Sequence, residues 1–558
     1  MKVNLLGEGV IMSSYKIHLL VCGGTTCTSS QSLKLVDNLN ESIIKHGLTD
    51  EVEVVVTGCF GFCEMGPIVK VYPENVFYVK VQPEDAEEIV SEHVIKGHRV
   101  QRLQYAEPNL SMKLEGQTEP PYYKKQIRIA LRNCGFINPE KIDEYIANDG
   151  YQALAKCTAK MTRDEVLDTI DKSGLRGRGG GGFPTGLKWK LTNKSFSAQK
   201  YIICNADEGD PGSFKDRSIL EGDPHSVLEA MAIAGYAIGA SHGYIYIRAE
   251  YPLALRTLEI AISQAEELGL LGENILGTGF DFDIELRLGA GAFVCGEETA
   301  LIHSIEGSRG EPAIKPPFPA ESGVWGKPTC INNVETLSNI PTIILKGADW
   351  FRTIGTDKSP GTKVFSLSGN IKNVGLVEVP LGTTLREVIF DISGGIKDDK
   401  QFKAVQTGGS SGGCITSENL DIPIDYETLN SIGSMMGSGG MIVLDQDNCM
   451  VNVAKFFLEF NVDESCGKCT PCRIGTKRLY EILQRITDGH GTEQDLDDLK
   501  ELCEIIKDTA LCGLGQAAPN PILSTINYFY AEYLAHVRDK KCPAGVCQAL
   551  ITPKIPIG

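Results

Sequence analysis

The chain has 558 residues with ordinary apolar and charged fractions, 42% and 23%, enough for several domains that each bury a core. A formal net charge of −18 with no compensating basic stretch excludes a nucleic-acid binder, and no apolar run nears the about 18 residues of a membrane helix, which excludes direct membrane insertion. Its 18 cysteines, with no secretion signal ahead of them, point to metal or redox chemistry in a reducing, cytoplasmic compartment and not to a disulfide framework.

In chain order, residues 1–14 read as a disordered extension, with Met12 the expected true start. Residues 15–100 alternate β and α. "YKIHLLVC" and "VEVVVTGC" are strands, "SQSLKLVDNLNESIIKHG" is a helix, and "VFYVKVQPEDAEEIVSEHV" is a strand followed by a helix. That rhythm predicts a small α/β domain. Cys22 and Cys27 in "VCGGTTC", and Cys59 and Cys63 in "GCFGFC", fall at strand ends. Four thiolates from two loops suit either a 2Fe–2S cluster or tetrahedral zinc. Residues 101–124, polar and proline-bearing, read as a linker.

From 125 to 345 a larger α/β unit follows, with strands "KYIICNAD", "GYIYIRAE" and "FDIELRLG" and helices "PHSVLEAMAIAGYAIG" and "LALRTLEIAISQAEELG". Its loops carry the chemistry. "GLRGRGGGGFPTGLKW" satisfies the GxGxxG template at Gly177, Gly179 and Gly182. A helix precedes it and Pro184 follows closely, so it is not a dinucleotide fingerprint. So much glycine beside Arg178, Phe183, Lys188 and Trp189 suits a backbone pressed against a flat, phosphorylated cofactor, with a flexible surface loop as the alternative.

"CNADEGDPGSFKDR" lies past a strand end, where open α/β sheets bind ligands, and supplies Asn205, Asp207, Glu208 and Asp210. Standing alone it would read as a solvated acidic turn. "GAGAFVCGEETALIHSIEG" runs from glycines into a helix beginning near Glu297, whose free N–H groups suit a phosphate. "KPPFPA" and "CINNVETL" add Lys315, Phe318, Asn332 and Asn333.

Residues 346–440 give two strands and a helix, the rhythm of a β-grasp module. Residues 441–535 turn helical, a bundle that carries "ESCGKCTPCRIG". Cys466, Cys469 and Cys472 cannot pair with one another without severe strain. They resemble part of a 4Fe–4S donor set, with zinc the alternative. Position 476 is Thr, which excludes the bacterial ferredoxin spacing. Cys512 in "ALCGLGQ", where glycines let the backbone approach a bulky cluster, is preferred as fourth ligand over Cys503, which sits on an amphipathic helix. The tail, 536–558, offers His536, Cys542 and Cys547, with Cys449 as a candidate fourth ligand, and such a mixed set suits zinc, the alternative being the start of a truncated domain with idle thiols. Cys134, Cys157, Cys204, Cys295, Cys330 and Cys414 stand alone and read as packing residues.

In this order, and with the cysteine triplet and Cys512 behind them, the motifs between roughly 125 and 535 closely resemble the NADH-binding flavoprotein subunit of respiratory complex I and its soluble relatives. The resemblance implies a multidomain α/β fold in which FMN and NADH share one cavity and a nearby 4Fe–4S cluster takes the electrons, without a catalytic side chain. Carried over by motif, FMN would meet Gly177, Gly179, Lys188, Asn205, Asp207, Glu208, Gly296, Glu297, Asn332 and Asn333. The nicotinamide nucleotide would meet Phe183, Asp210, Glu298, Lys315 and Phe318. Asp210 stands where the family commonly has Glu, and Leu191 where some members place an aromatic residue.

The amino-terminal unit resembles thioredoxin-like 2Fe–2S ferredoxins at Cys22, Cys27, Cys59 and Cys63. Its fusion ahead of the flavoprotein resembles the B subunit of electron-bifurcating iron-only hydrogenases. That resemblance implies an iron-only hydrogenase catalytic subunit and a small thioredoxin-like 2Fe–2S subunit as partners, and ferredoxin through the complex. The amino-terminal domain would then be a mobile relay or a docking piece. The zinc reading of the tail also resembles a feature of those subunits, whereas the ferredoxin-like domain that often ends them has no matching cysteine array here. The alternatives are a complex I-type module, the diaphorase subunit of an NAD-linked formate dehydrogenase, and an electron-transfer scaffold without an active flavin site. Acids near the nucleotide favour NAD over NADP.

Overall fold

The computed structural model describes residues 15–105 and 120–551. The expected extension at 1–14, most of the expected linker (106–119) and the end of the tail (552–558) lie outside the described residues.

The first unit is a four-stranded sheet of β1 (Ile17–Cys22), β2 (Val52–Thr57), β3 (Val69–Tyr72) and β4 (Val76–Tyr78), in the order β2-β1-β3-β4. β1 runs parallel to β2 and antiparallel to β3. Sequence periodicity does not reveal β3, because four residues between prolines are too few to establish alternation. The helix Ser32–Lys45 lays Leu35, Leu39 and Ile43, spaced by four, against the sheet.

The second unit is a parallel sheet of β5 (Tyr201–Ala206), β6 (His242–Arg248), β7 (Asp283–Gly289) and β8 (Thr329–Asn333), ordered β7-β6-β5-β8. Three of the strands are those expected; β8 emerges from "TCINN". From β5 the chain steps outward through β6 to β7, then returns to place β8 on the other side of β5. β5 and β8 therefore flank a topological switch point, where a crevice opens at the carboxyl ends of the strands. Helix Pro224–Ile238 is buried almost all round and forms the centre of this core.

The β-grasp expectation grows into five strands, β9 (Thr362–Gly369), β10 (Gly375–Pro380), β11 (Phe402–Thr407), β12 (Cys414–Ile415) and β13 (Gly440–Asp445), ordered β10-β9-β13-β11-β12. β9 and β13 are parallel and the other pairs antiparallel. Helices Met450–Asp463, 471–487, Glu493–Thr509 and Asn520–Val537 form the expected bundle around Leu458, Leu483, Leu499 and Ile526. Among the described residues no helix is long and apolar enough to cross a membrane.

The amino-terminal unit is docked. Leu376 N–H donates to Gly61 O at 2.7 Å and Glu64 N–H to Val374 O at 3.0 Å, so the loop of Cys59 and Cys63 pairs with the edge of β10. Tyr122 Oη donates to Gly61 O at 3.0 Å, and its ring stacks on Phe62 with centroids 4.5 Å apart. Cys22, Cys27, Phe60 and Phe62 share one apolar core with Phe365 and Val377 of the β-grasp sheet.

Candidate active site and metal centres

The crevice at the switch point is built from the ends of β5 and β8, where Asn205 is in register with Asn333 and Cys204 with Asn332. Asn205 Nδ2 donates to Gly296 O at 2.9 Å, and its Oδ1 accepts from Asp207 N–H at 3.0 Å. Asn332 Oδ1 accepts from the buried Trp189 indole at 2.9 Å, and Asn333 Nδ2 donates to Asp216 at 2.6 Å. These amides are held by the frame before any ligand arrives.

Two buried polar atoms here lack a partner, Asp207 Oδ2 and Arg248 Nη1. Arg248 lies 3.7 Å from the other oxygen of Asp207. Burial pushes the Asp207 carboxyl up to about 7, against the pull of Arg248. Unsatisfied buried groups are costly, and this pair fits a polar ligand that supplies the missing bonds. A Cβ at Gly296 would sit 3.7 Å from Asp207 Oδ2, while one at Gly181 would meet nothing within 4 Å, so the glycine loop borders open space. At Gly182, φ is +63° and a side chain would strike the Tyr426 ring, so only glycine fits.

At the mouth, Lys315 Nζ lies 2.6 Å from Glu298 and 3.0 Å from Glu297, with Lys188 Nζ 3.9 Å from Glu298. Lys188 also donates to Ile331 O and stands 5.8 Å from the Phe183 ring. Phe183 and Phe318 are 47% and 52% exposed, apolar faces turned to solvent where a base could stack.

Several expected site residues have other work. Glu208 is buried with both oxygens taken, by Ser213 Oγ and the N–H groups of Lys215 and Arg217, so it caps the next helix. Asp210 accepts from Ser410 N–H and from Ser438 Oγ, which ties the crevice loop to the β-grasp unit. Glu297 Oε2 accepts from Thr299 N–H at 2.9 Å and Ala300 N–H at 3.0 Å. The helix N-terminus expected to be free for a phosphate is therefore capped by its own chain. Arg178 turns inward and donates to the carbonyls of Thr362, Arg176 and Pro360. Sequence reading missed Arg248 and the buried Lys215–Asp216–Glu335–Lys363 cluster that orients Asn333. The only signal for the latter was the charge in "FKDR".

Cys466 and Cys469 lie in the loop between two helices of the bundle and Cys472 in the first turn of the second, with Cys512 at the start of the short helix Gly513–Ala517. Burial pushes the Cys472 thiol up to about 11, with Ser465 pulling it down and Cys469, Cys512 and Cys466 adding to the rise. A Cβ at Gly515 would lie 2.7 Å from Ala510 Cβ and 3.2 Å from Cys472 Cβ. Cys503 is fully buried in the bundle core, whereas Cys469 is only partly buried at that core's edge. Cys466 and Leu514 pack against the apolar cluster that contains Val294, Cys295 and Ala300, and Phe293 N–H donates to Glu464 at 2.8 Å, which places these cysteines beside the crevice.

In the amino-terminal unit Cys59 Sγ and Cys63 Sγ are 3.7 Å apart, and Gly61 N–H donates to Cys59 Sγ. The Cys22 thiol is raised first by the neighbouring Cys27 and Cys59, so two strand-end loops bring the thiols together. In the tail, the ligand atoms of Cys449, His536, Cys542 and Cys547 all lie within 4.8 Å of one another. The separations from Cys449 to His536, from Cys547 to His536 and from Cys449 to Cys547 are 3.4, 3.5 and 3.8 Å. A tetrahedron with ~2.3 Å metal–sulfur and ~2.0 Å metal–nitrogen bonds has edges of about 3.5 to 3.8 Å. His536 Nδ1 meets Glu532 O at 2.7 Å, leaving Nε2 for a metal. The Cys449 thiol is held down to about 4, first by its hydrogen bond from Cys547 and then, against burial, by His536.

Residues 170–342 match the Nuo51 FMN-binding domain, residues 452–536 the NADH-ubiquinone oxidoreductase-F iron-sulfur binding region, and residues 13–93 the thioredoxin-like [2Fe-2S] ferredoxin. Subunit HndC of the NADP-reducing hydrogenase of Solidesulfovibrio fructosivorans is 68% identical over 429 residues, 77% of this chain and 87% of that one. An NADH-quinone oxidoreductase subunit of Rhizobium meliloti is 46% identical over 415 residues, 74% of this chain and 99% of that one. A chain of an NAD+-reducing [NiFe]-hydrogenase in the H2-reduced state superimposes with a TM-score of 0.66 at 28% identity, covering 95% of this chain and 85% of that chain.

Proposed function

Because this chain belongs to the family of FMN- and iron–sulfur-binding subunits of NADH oxidoreductases, we propose that it is the NAD(H)-oxidising or -reducing subunit of a cytoplasmic, electron-bifurcating hydrogenase complex. It is an oxidoreductase of the flavin and iron–sulfur kind. When bound, FMN supplies the exchange between two-electron hydride and one-electron steps.

In this reading the chain's own residues bind, orient and insulate. Asn205, Asn332 and Asn333 at the ends of β5 and β8, with Gly177 and Gly179 of the glycine loop, would hold the flavin and its phosphate. Asp207 and Arg248 complete their unmet hydrogen bonds on its polar edge. Lys188 and Lys315 orient the nucleotide pyrophosphate, and Phe183 and Phe318 stack on its base. Glu208, Asp210 and Glu297 act one step removed, by fixing the loops that carry these groups. Cys466, Cys469, Cys472 and Cys512 hold the 4Fe–4S cluster, Cys22, Cys27, Cys59 and Cys63 the 2Fe–2S cluster, and Cys449, His536, Cys542 and Cys547 a structural zinc.

The observation that carries the proposal is the juxtaposition of the two sites. Cys466 and Leu514 pack against the apolar cluster that contains Val294, Cys295 and Ala300, so a cluster held by the four cysteines would lie beside a flavin held in the crevice. The partners that fit are an iron-only hydrogenase subunit, a small 2Fe–2S subunit and ferredoxin. Glu297 and Glu298 at the mouth disfavour a 2′-phosphate and support NAD. The NADP named for the HndC relative is the second reading.

The test uses the anaerobic native complex. Hydrogen should form when NADH and reduced ferredoxin are supplied together and not with either alone. Hydrogen from NADH alone would refute bifurcation, and its absence throughout would move the assignment to a formate dehydrogenase or respiratory complex. Substituting NADPH decides the nucleotide, and failure of either nucleotide to bleach the flavin would favour an inactive scaffold.

A further inference from the structure

The segment 127–131 joins the docked amino-terminal unit to the rest of the molecule. Glu378, fully buried on β10, accepts from the N–H groups of Ile129, Ala130 and Leu131, each at 2.9 Å, and Ile127 N–H donates to Glu378 O. This wrapping fixes Arg128 in a seam cavity of about 310 Å³ lined by Phe60, Tyr123, Arg128, Arg132, Cys134 and Gly135, among others. The acids around it are committed elsewhere. Glu378 serves three backbone groups, and Asp223 lies 3.8 Å from Arg132 and accepts from Asn133. Among the described residues Arg128 makes no ion pair or hydrogen bond. Its Nε is buried without a partner, and its guanidinium rests 5.8 Å from the Tyr123 ring.

Arg128 is half-buried in this seam, and the neighbours of Cys59 border the same seam. A Cβ on Gly58 would overlap Gly222, one on Gly222 would lie 2.9 Å from Cys134 Sγ, and one on Gly135 would lie 2.8 Å from the Phe60 ring. Tyr123 Oη donates to Phe60 O at 3.0 Å, and Thr25 Oγ1 donates to Glu221 at 2.5 Å. Phe60, the neighbour of Cys59 in the chain, lines the cavity together with Arg128. A 2Fe–2S centre on four thiolates is anionic, and one added electron makes it more so. Its potential depends on net charge, hydrogen bonds and exposure.

We propose that Arg128 is the counter-cation of the amino-terminal 2Fe–2S centre, presented across the seam by the flavin unit, so that docking of that domain and the centre's reduction potential are linked. The inference rests on the assignment of the cluster to Cys22, Cys27, Cys59 and Cys63. Docking brings a fixed positive charge to the site of added negative charge and raises the potential. By reciprocity, an electron on the centre tightens the seam. The domain would hold closed while loaded and open more readily once oxidised.

The test is an EPR-monitored redox titration of the two-iron signal in the full chain, alongside hydrogen exchange of residues 58–63. Arg128→Gln should lower the equilibrium constant for reduction about tenfold, which is about 59 mV for one electron. Arg128→Lys should recover part of it. Gly222→Val, or Thr25→Val with Tyr123→Phe should Gly222→Val lose its flavin, opens the seam and should lower the potential similarly. Combined with Arg128→Gln it should lower it no further. In the wild type, reduction should slow exchange at 58–63. A wild-type signal that Arg128→Gln leaves unmoved overturns the inference alone, as does full additivity with the seam variant. Absence of any two-iron signal in the wild-type chain overturns the cluster assignment as well.

Discussion

Lys315 offers the sharpest perturbation of the nucleotide mouth. Its ammonium lies 2.6 Å from Glu298 and 3.0 Å from Glu297, and all three side chains are 19–29% exposed. Lys315→Met keeps most of the stem and removes the charge, leaving two carboxylates facing an incoming pyrophosphate. A unit charge pair at 4 Å is worth about 4 kcal/mol at an effective dielectric near 20. Solvent at a partly open mouth reduces that to about 1.4–2 kcal/mol. The expected result is a KM for NADH raised about 10- to 30-fold, with kcat within about twofold, since the interaction serves binding and not the chemical step. The assay is anaerobic NADH oxidation with an artificial one-electron acceptor, normalised to FMN content. An unchanged KM, or a fall in kcat alone, would refute this role.

Three further outcomes are expected. Cys512→Ser should abolish the four-iron EPR signal while Cys503→Ser keeps it, because Cys503 is sealed in the bundle core; the reverse pattern would overturn the ligand assignment. His536→Ala and Cys547→Ser should each remove one zinc per chain by elemental analysis and lower the melting temperature of the bundle, with the flavin spectrum unchanged. Zinc retained in both would exclude the site. Asp207, raised to about 7 in the folded chain by burial, binds a proton there that it has lost when unfolded above about pH 3.9. Its contribution to stability is present below pH ~4 and is lost as pH rises to about 7. In FMN-free protein Asp207→Asn should therefore flatten the fall in melting temperature between pH 5 and 7.5, and an unaltered slope would show that Asp207 does not carry it.

Features that lie close along the chain were legible before folding was considered. Triplet spacing marked Cys466, Cys469 and Cys472, the glycines beside Cys512 marked a close approach, and apolar periodicity marked the three long strands of the second sheet and the four helices of the bundle. Those signals are local, set by strand and helix repeat and by the geometry of a thiolate donor set, so a single chain suffices to read them. How distant groups use their bonding capacity emerges only in the folded molecule. Glu208, Asp210 and Glu297 stand in the right motifs, yet each satisfies its own chain's N–H or hydroxyl groups. Arg248, from a different strand, faces the unsatisfied Asp207. Whether the amino-terminal domain swings or docks was equally illegible, because it depends on Gly58 meeting Gly222 and on Leu376 pairing with Gly61 across more than a hundred residues. Hydrogen bonds saturate and charges act through space, so which acid is free and which cation is unpaired is a property of the folded neighbourhood and not of the motif that contains it.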